Sequence, residues 1–236
     1  MTHIQTLVNQ IHHYYRLPHH TDTKLSAALD AIQAWQRDRI HRANAPLFDH
    51  PKTAPLAHYL IDRIYNHATF DTIAEQLLTA GNNALNGSGK LEKLVPKNAL
   101  SAGLVSVSAA ITAIELDLEL AKAYLEHFDG QPLDDELMGA LYRKVDAQDA
   151  RVAQIAEVGQ VCHTCYQSFN SYFLYKAFKL AKSTAYNNGY QALYDFIHDG
   201  LSAIQAIDKI EHFSTPFIET ETQIIEKIHA QMPIFD

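Results

Sequence analysis

Residues 98–127, NALSAGLVSVSAAITAIELDLELAKAYLEH, decide the fold. Apolar side chains recur at Leu104, Val107, Ile111, Ile114, Leu118, Ala121 and Leu125, in alternating steps of three and four. That spacing places them on one stripe of a helix packed against near-antiparallel neighbours. Leu116, Leu120 and Tyr124 form a second ridge and widen the apolar surface. Charges begin only at Glu115. The first half of this helix is therefore expected to be buried on most sides and the second half to emerge into water.

The flanking segments carry the same period. Residues 3–16 read as an amphipathic opener closed by Pro18. Thr21 or Asp22 is placed to cap a long helix over about 23–48, with Leu25, Leu29, Ile32 and Trp35 inward and Pro51 beyond its end. Pro55 suits the first turn of a helix reaching Tyr65, and Thr69, followed by Asp71 and Glu75, suits the cap of the next. Residues 81–97 read as a loose loop with a helical turn or two, and Asn98 as the cap of the central helix. Pro132 with Asp134, Asp135 and Glu136 fits a helix N-terminus, where negative charge meets the positive end of the dipole. Helical patterning then runs past 180, breaks at Asn187-Asn188-Gly189 and resumes to about 212, and Thr215-Pro216 caps a last helix ending near Ala230. No segment alternates apolar and polar residues as a half-buried strand must. The expectation is an all-α fold, a single multi-helix bundle over 1–236 around a long buried central helix at about 98–127. The stretch at 128–132 could separate two subdomains, but the central seam needs partners from both sides.

Composition narrows the function classes. With 9 Gly and 8 Pro in 236 residues, a turn-dense all-β protein is disfavoured, and 47% hydrophobic residues exclude wholesale disorder. A net charge of −8 argues against nucleic acid, whose binders need a positive field to replace counterions. Two cysteines cannot staple a secreted scaffold. The charge-free runs Asn98–Ile114 and Val158–Tyr175 both carry Ser and Thr, Asn or Gln residues, so membrane insertion is not expected. The N-terminal residues show no basic leader before an apolar core, and a cytoplasmic location is the expectation.

Several strings resemble chemistry and are better read as structure. Cys162-His163-Thr164-Cys165 follows no strand, and no second Cys pair completes a zinc site, so the thiols read as small core groups. Gly87-Ser88-Gly89-Lys90 lacks the upstream Gly and the following Ser or Thr of a phosphate loop. A carboxylate three residues before a His, the spacing of di-iron bundles, occurs at Asp38/His41, Asp195/His198 and Glu226/His229, about as often as chance placement of 14 histidines among 27 acids gives. The histidines therefore read mainly as solvated surface groups, with His198, Glu226 and His229 kept as candidate metal ligands. Arg37, Arg39 and Arg42 form a local basic patch able to hold an anion or an acidic partner. Arg39 falls one turn after Trp35, so its stem can cover the indole and its head enter a buried ion pair, with Asp62 as a conceivable partner.

Aromatic residues crowd the last third, 10 of 23 within 31 residues from Tyr166 to Phe196, which makes that region the place to look for a pocket or partner groove. Tyr186, Tyr190 and Tyr194 recur every four residues there and are candidate binding residues.

Trp35 and Arg39, the linking Pro51 and Pro55, and the segment Tyr59-Leu60-Ile61-Asp62-Arg63-Ile64-Tyr65 followed by Phe70 resemble the uncharacterised bacterial FFLEELY motif proteins. Leu60 stands for the second Phe, Arg63 reverses the second Glu, and Asn66 stands where Gly is common. Phe178-Lys179-Leu180-Ala181-Lys182, Gly189 and Gly200 are also similar to that pattern, so the likeness runs from about residue 30 onward. The resemblance implies a compact helical fold and carries no activity over to this chain. The reversed charge at Arg63 argues against a carboxylate dyad there. The leading reading is a helical protein that binds another protein or itself without catalysis. The alternative is a small-ligand, haem or di-iron helical enzyme with its pocket in the aromatic third.

Overall fold

Asp22 starts the first long helix by accepting the Lys24 and Leu25 backbone N–H groups, at 3.0 and 3.1 Å. This computed structural model describes residues 2–87 and 97–235. Helices occupy 82% of the described residues and no strand occurs among them, which establishes the all-α bundle.

In chain order the helices are α1 (His3–Tyr14), α2 (Thr23–Ala43), α3 (Ala45–Asp49), α4 (Ala54–His58), α5 (His67–Leu85), α6 (Lys97–His127), α7 (Asp135–Val145), α8 (Gln148–Phe169), α9 (Tyr172–Leu180), α10 (Lys182–Asn187), α11 (Gln191–Ala206) and α12 (Glu211–His229). A 3₁₀ turn at Pro18–His20 joins α1 to α2, and a π-helical turn at Tyr59–Ile64 continues α4.

Helix α6 packs against α1, α2, α7 and α8, while α12 closes over α7 and α8. The main apolar cluster joins Ile11, Leu29, Ile32, Ile111, Leu118, Met138, Leu141 and Ile228, each contributing about 1.5–3 kcal/mol on burial. A second cluster, with Ile40, Leu56, Ile61, Ala203, Phe213 and Phe217, lies between α2, α4, α11 and α12. By length and composition α6 could also cross a membrane; here α1, α2, α7 and α8 cover part of its apolar surface.

Burial along α6 does not follow a simple gradient: Ala102 and Ile111 of its first half are buried and Glu119 and Lys122 of its second half face water, as expected, but other positions depart from the expectation. Val105 in its first half is 38% exposed, whereas Asp117, Leu118 and Leu120 in its second half are 0%, 2% and 1% exposed. A charge can sit that deep because Arg151 meets it at 2.9 Å.

Several boundaries differ from the sequence expectation. Asn44 ends α2 early, and Pro46 in the first turn of α3 starts a new helix. Asn66 rather than Thr69 caps α5, accepting from the Ala68 and Thr69 N–H groups. Helix α6 already includes Lys97, so Asn98 is not its cap. Residues 81–85 are helical, while 88–96, the rest of that expected loop and most of the Gly87–Lys90 string, lie outside the described residues. The C-terminal third breaks at Asn170 and Ala181 as well as near Gly189, and α12 begins before Pro216, which the helix absorbs.

Candidate functional site

The π-helical turn is formed by the segment that resembles the FFLEELY motif. Its wider winding closes on Tyr65, whose N–H reaches the Leu60 carbonyl five residues back at 3.0 Å. The Tyr65 phenol then donates to Asp117 Oδ2 at 2.6 Å. Gln33 and Gln36 of α2 also donate to the Asp117 carboxylate, and Arg151 of α8 pairs with it, so four side chains from three other elements meet on one acid of α6. Burial and the neighbouring carboxylate push the Tyr65 phenol well above its usual value. The carboxylate at its centre is 0% exposed and engaged at both oxygens, which suits a structural core.

Arg39 does enter a buried ion pair, but its partner is Glu221 of α12, at 2.7 Å. Burial opposes the Arg39 charge, yet Glu221 and the nearby Tyr142 phenol outweigh it and hold the guanidinium protonated. Asp62 instead lies between His41 and His58, at 2.6 and 2.7 Å, which hold it below the ordinary carboxylate range against burial. Arg42 forks onto Asp135 with two 2.9 Å hydrogen bonds, and the Trp35 indole N–H donates to the same carboxylate at 2.9 Å. Arg37 donates to the Tyr65 carbonyl. The three arginines of the expected patch are thus drawn to three different partners.

The aromatic third divides into a packed side and a bare side. Phe178 stacks on Tyr194 with ring centroids 4.6 Å apart, Tyr194 stacks on His198 at 6.0 Å, and Tyr186 donates to Asp195. Tyr194 is 4% exposed, and Tyr190 accepts a hydrogen bond from the Asn83 amide. These rings fill space against one another. On the outer side, Tyr172, Phe173 and Leu180 of α9 stand 63%, 87% and 86% exposed. Lys176, Lys179 and Lys182 lie over the rings of Tyr172, Tyr175 and Tyr186 at 5.2, 4.7 and 5.0 Å.

The family described as "Domain of unknown function (DUF8198)" matches residues 15–234. The chain belongs to this family. No curated protein and no solved structure matches it.

In this DUF8198 chain the candidate metal ligands do not gather. His198 lies 3.7 Å from Asp199 and stacks on Tyr175, while His229 lies 3.9 Å from Asp146. Neither of the two potential metal-ligand groups among the described residues contains His198, Glu226 or His229. One group is His41, His58 and Asp62, and the other is His19, His20 and Asp71. His19 and His67, each 5% exposed, are exceptions to the expectation of mainly solvated histidines, which the others meet by being exposed or half-buried. Adjacent histidines have no helical spacing, and Asp71 lies on another helix, so no i+3 or i+4 pattern in the sequence connects them. The doublet behind Pro18, held in a turn, was the available signal.

The tetrad Cys162–Cys165 lies within α8 with both thiols free. Burial pushes Cys162 up to about 12 and raises Cys165 too, opposite to an activated thiolate.

Proposed function

We propose that this protein is a non-catalytic binding module that docks an acidic segment of a partner protein on the exposed face of α9. The observation that carries this reading is the stripe Phe173, Lys176 and Leu180, spaced three and four apart on the bare side of the helix. Large apolar side chains this exposed are characteristic of interaction surfaces. Between Glu157 and Asp195 the chain has three lysines and no carboxylate, although the whole protein carries −8. The charge that this segment carries is therefore opposite to that of the molecule, and an acidic segment is both steered to it and held by the apolar contacts.

The haem or di-iron alternative is less well supported, since the rings of the aromatic third pack on one another and its candidate ligands stand apart. A cytoplasmic location belongs to the same proposal and is supported by the two free thiols. So does the likeness to the bacterial FFLEELY motif proteins. It is supported by the structural roles of Trp35, Arg39 and Tyr65.

The test is a photo-crosslinking amino acid placed at position 173 of the full chain, with the captured segments sequenced. Expected are acid-rich protein segments whose capture is abolished by Lys176→Glu with Lys179→Glu and weakened by salt. Capture of a second copy of this chain, of lipid, or of segments indifferent to the lysine substitutions would overturn the reading.

A further inference from the structure

We propose that His19, His20 and Asp71 form a binding site for a divalent transition-metal ion such as zinc, joining the turn after α1 to the start of α5. Their ligand atoms all lie within 4.8 Å of one another. His19 is 95% buried by its 5% exposure, yet neither of its ring nitrogens has a hydrogen-bond partner, and the buried Nε2 of His20 has none either. Polar atoms taken from water normally find partners, so three unmet imidazole nitrogens beside a carboxylate mark a place for a bound group.

The chemistry of the donors selects the ion. Two imidazoles and one carboxylate match the three-ligand sets that hold zinc with one position open, whereas calcium and magnesium favour all-oxygen surroundings. The His20 and Asp71 side chains are 17% and 41% exposed, which leaves an entry path and places the open position toward solvent.

The second layer is also built. Tyr14, fully buried, donates to Asp71 Oδ1 at 2.6 Å and fixes the carboxylate. The ring of His67 stands edge-on to His19 at 5.4 Å, its own Nδ1 engaged by Gln33. The other cluster differs in this respect. Each Asp62 oxygen is already taken by a ring nitrogen of His41 or His58, and those groups are solvent-exposed, so it satisfies itself.

The experiment titrates zinc chloride into the chelator-treated full chain by calorimetry, with cobalt(II) as a spectroscopic substitute. One zinc per chain is expected, together with visible d–d absorption from cobalt. His20→Ala or Asp71→Asn should weaken binding by more than about 100-fold and abolish the cobalt bands, while Tyr14→Phe weakens it about 10–100-fold. His58→Ala should change neither. In the unsubstituted chain the imidazole NMR signals of His19 and His20 should move with zinc while those of His41 and His58 stay, so the test does not depend on any variant folding. Absence of zinc binding, binding lost in His58→Ala, or NMR shifts confined to His41 and His58 would overturn the proposal.

Discussion

Arg39 Nη1 and Glu221 Oε2 sit 2.7 Å apart with both side chains 4% exposed, joining the C-terminal end of α2 to α12. The Asn44 amide donates to the other Glu221 oxygen at 2.7 Å, so the carboxylate is engaged at both atoms. An ion pair this deep fixes which face of α12 meets α2.

Removing one partner leaves the other charge buried and uncompensated. Arg39→Met is expected to destabilise the protein by about 3–5 kcal/mol, whereas Arg39→Met combined with Glu221→Leu recovers most of that loss. Urea unfolding of the two single variants and the double variant, read as a cycle, measures the coupling. A double variant as unstable as the sum of the singles contradicts this account.

Gly200 of α11 lies against the π-helical turn, and a Cβ there would meet Tyr59 ring atoms at 2.6 Å. An aromatic ring cannot fold away as a flexible chain end does. Gly200→Ala should cost about 1–3 kcal/mol. Adding Tyr59→Phe should not help, because the Cζ and Cε1 contacts remain, while Tyr59→Leu should restore part of the stability. The thermal midpoints of the three variants check this order.

These two contacts show where the sequence was informative. The stripe from Val107 to Ala121 is buried as its period requires. Arg39 could be assigned to a buried pair because it extends the inward face of Leu25, Leu29, Ile32 and Trp35. Its partner could not be identified, since Glu221 lies on a helix whose orientation depends on the whole packing. The depth of Asp117 was missed for a related reason: local polarity predicts exposure, and only Tyr65, Gln33, Gln36 and Arg151, brought from elsewhere, reverse it. The bare face of α9 follows the same logic, because the aromatic crowding from Tyr166 to Phe196 does not say which of those rings finds a neighbour.

Asp135 links α7 to α2 and gives a pH-dependent contribution. Its hydrogen bonds from Arg42, and then from Trp35, outweigh burial and lower its value below the ordinary 3.8. A carboxylate lowered in the folded state stabilises above its unfolded value, and that contribution is lost as pH falls through the folded one. Asp135→Asn should therefore lower the thermal midpoint at about pH 7, and the gap to wild type should close as pH falls through the folded value. Its side chain is 42% exposed, so solvent screening keeps the difference small, and salt should reduce it further. A gap between wild type and variant that persists in acid would assign the effect to packing instead.

The two thiols should be chemically silent in the folded protein. Cys162 is 4% exposed and held near 12, and the Cys165 sulfur lies 3.4 Å from the Ser106 hydroxyl in the groove between α6 and α8. Alkylation needs thiolate and access, and the native chain offers little of either. Iodoacetamide at neutral pH is expected to label both cysteines at the rate at which the helices open, rising steeply with urea. Replacing both with Ala removes two small apolar groups and should cost about 1 kcal/mol each with the helical content unchanged. Rapid stoichiometric labelling of the native chain, or a large conformational response to oxidant that the double variant lacks, would return Cys162 and Cys165 to the list of reactive groups.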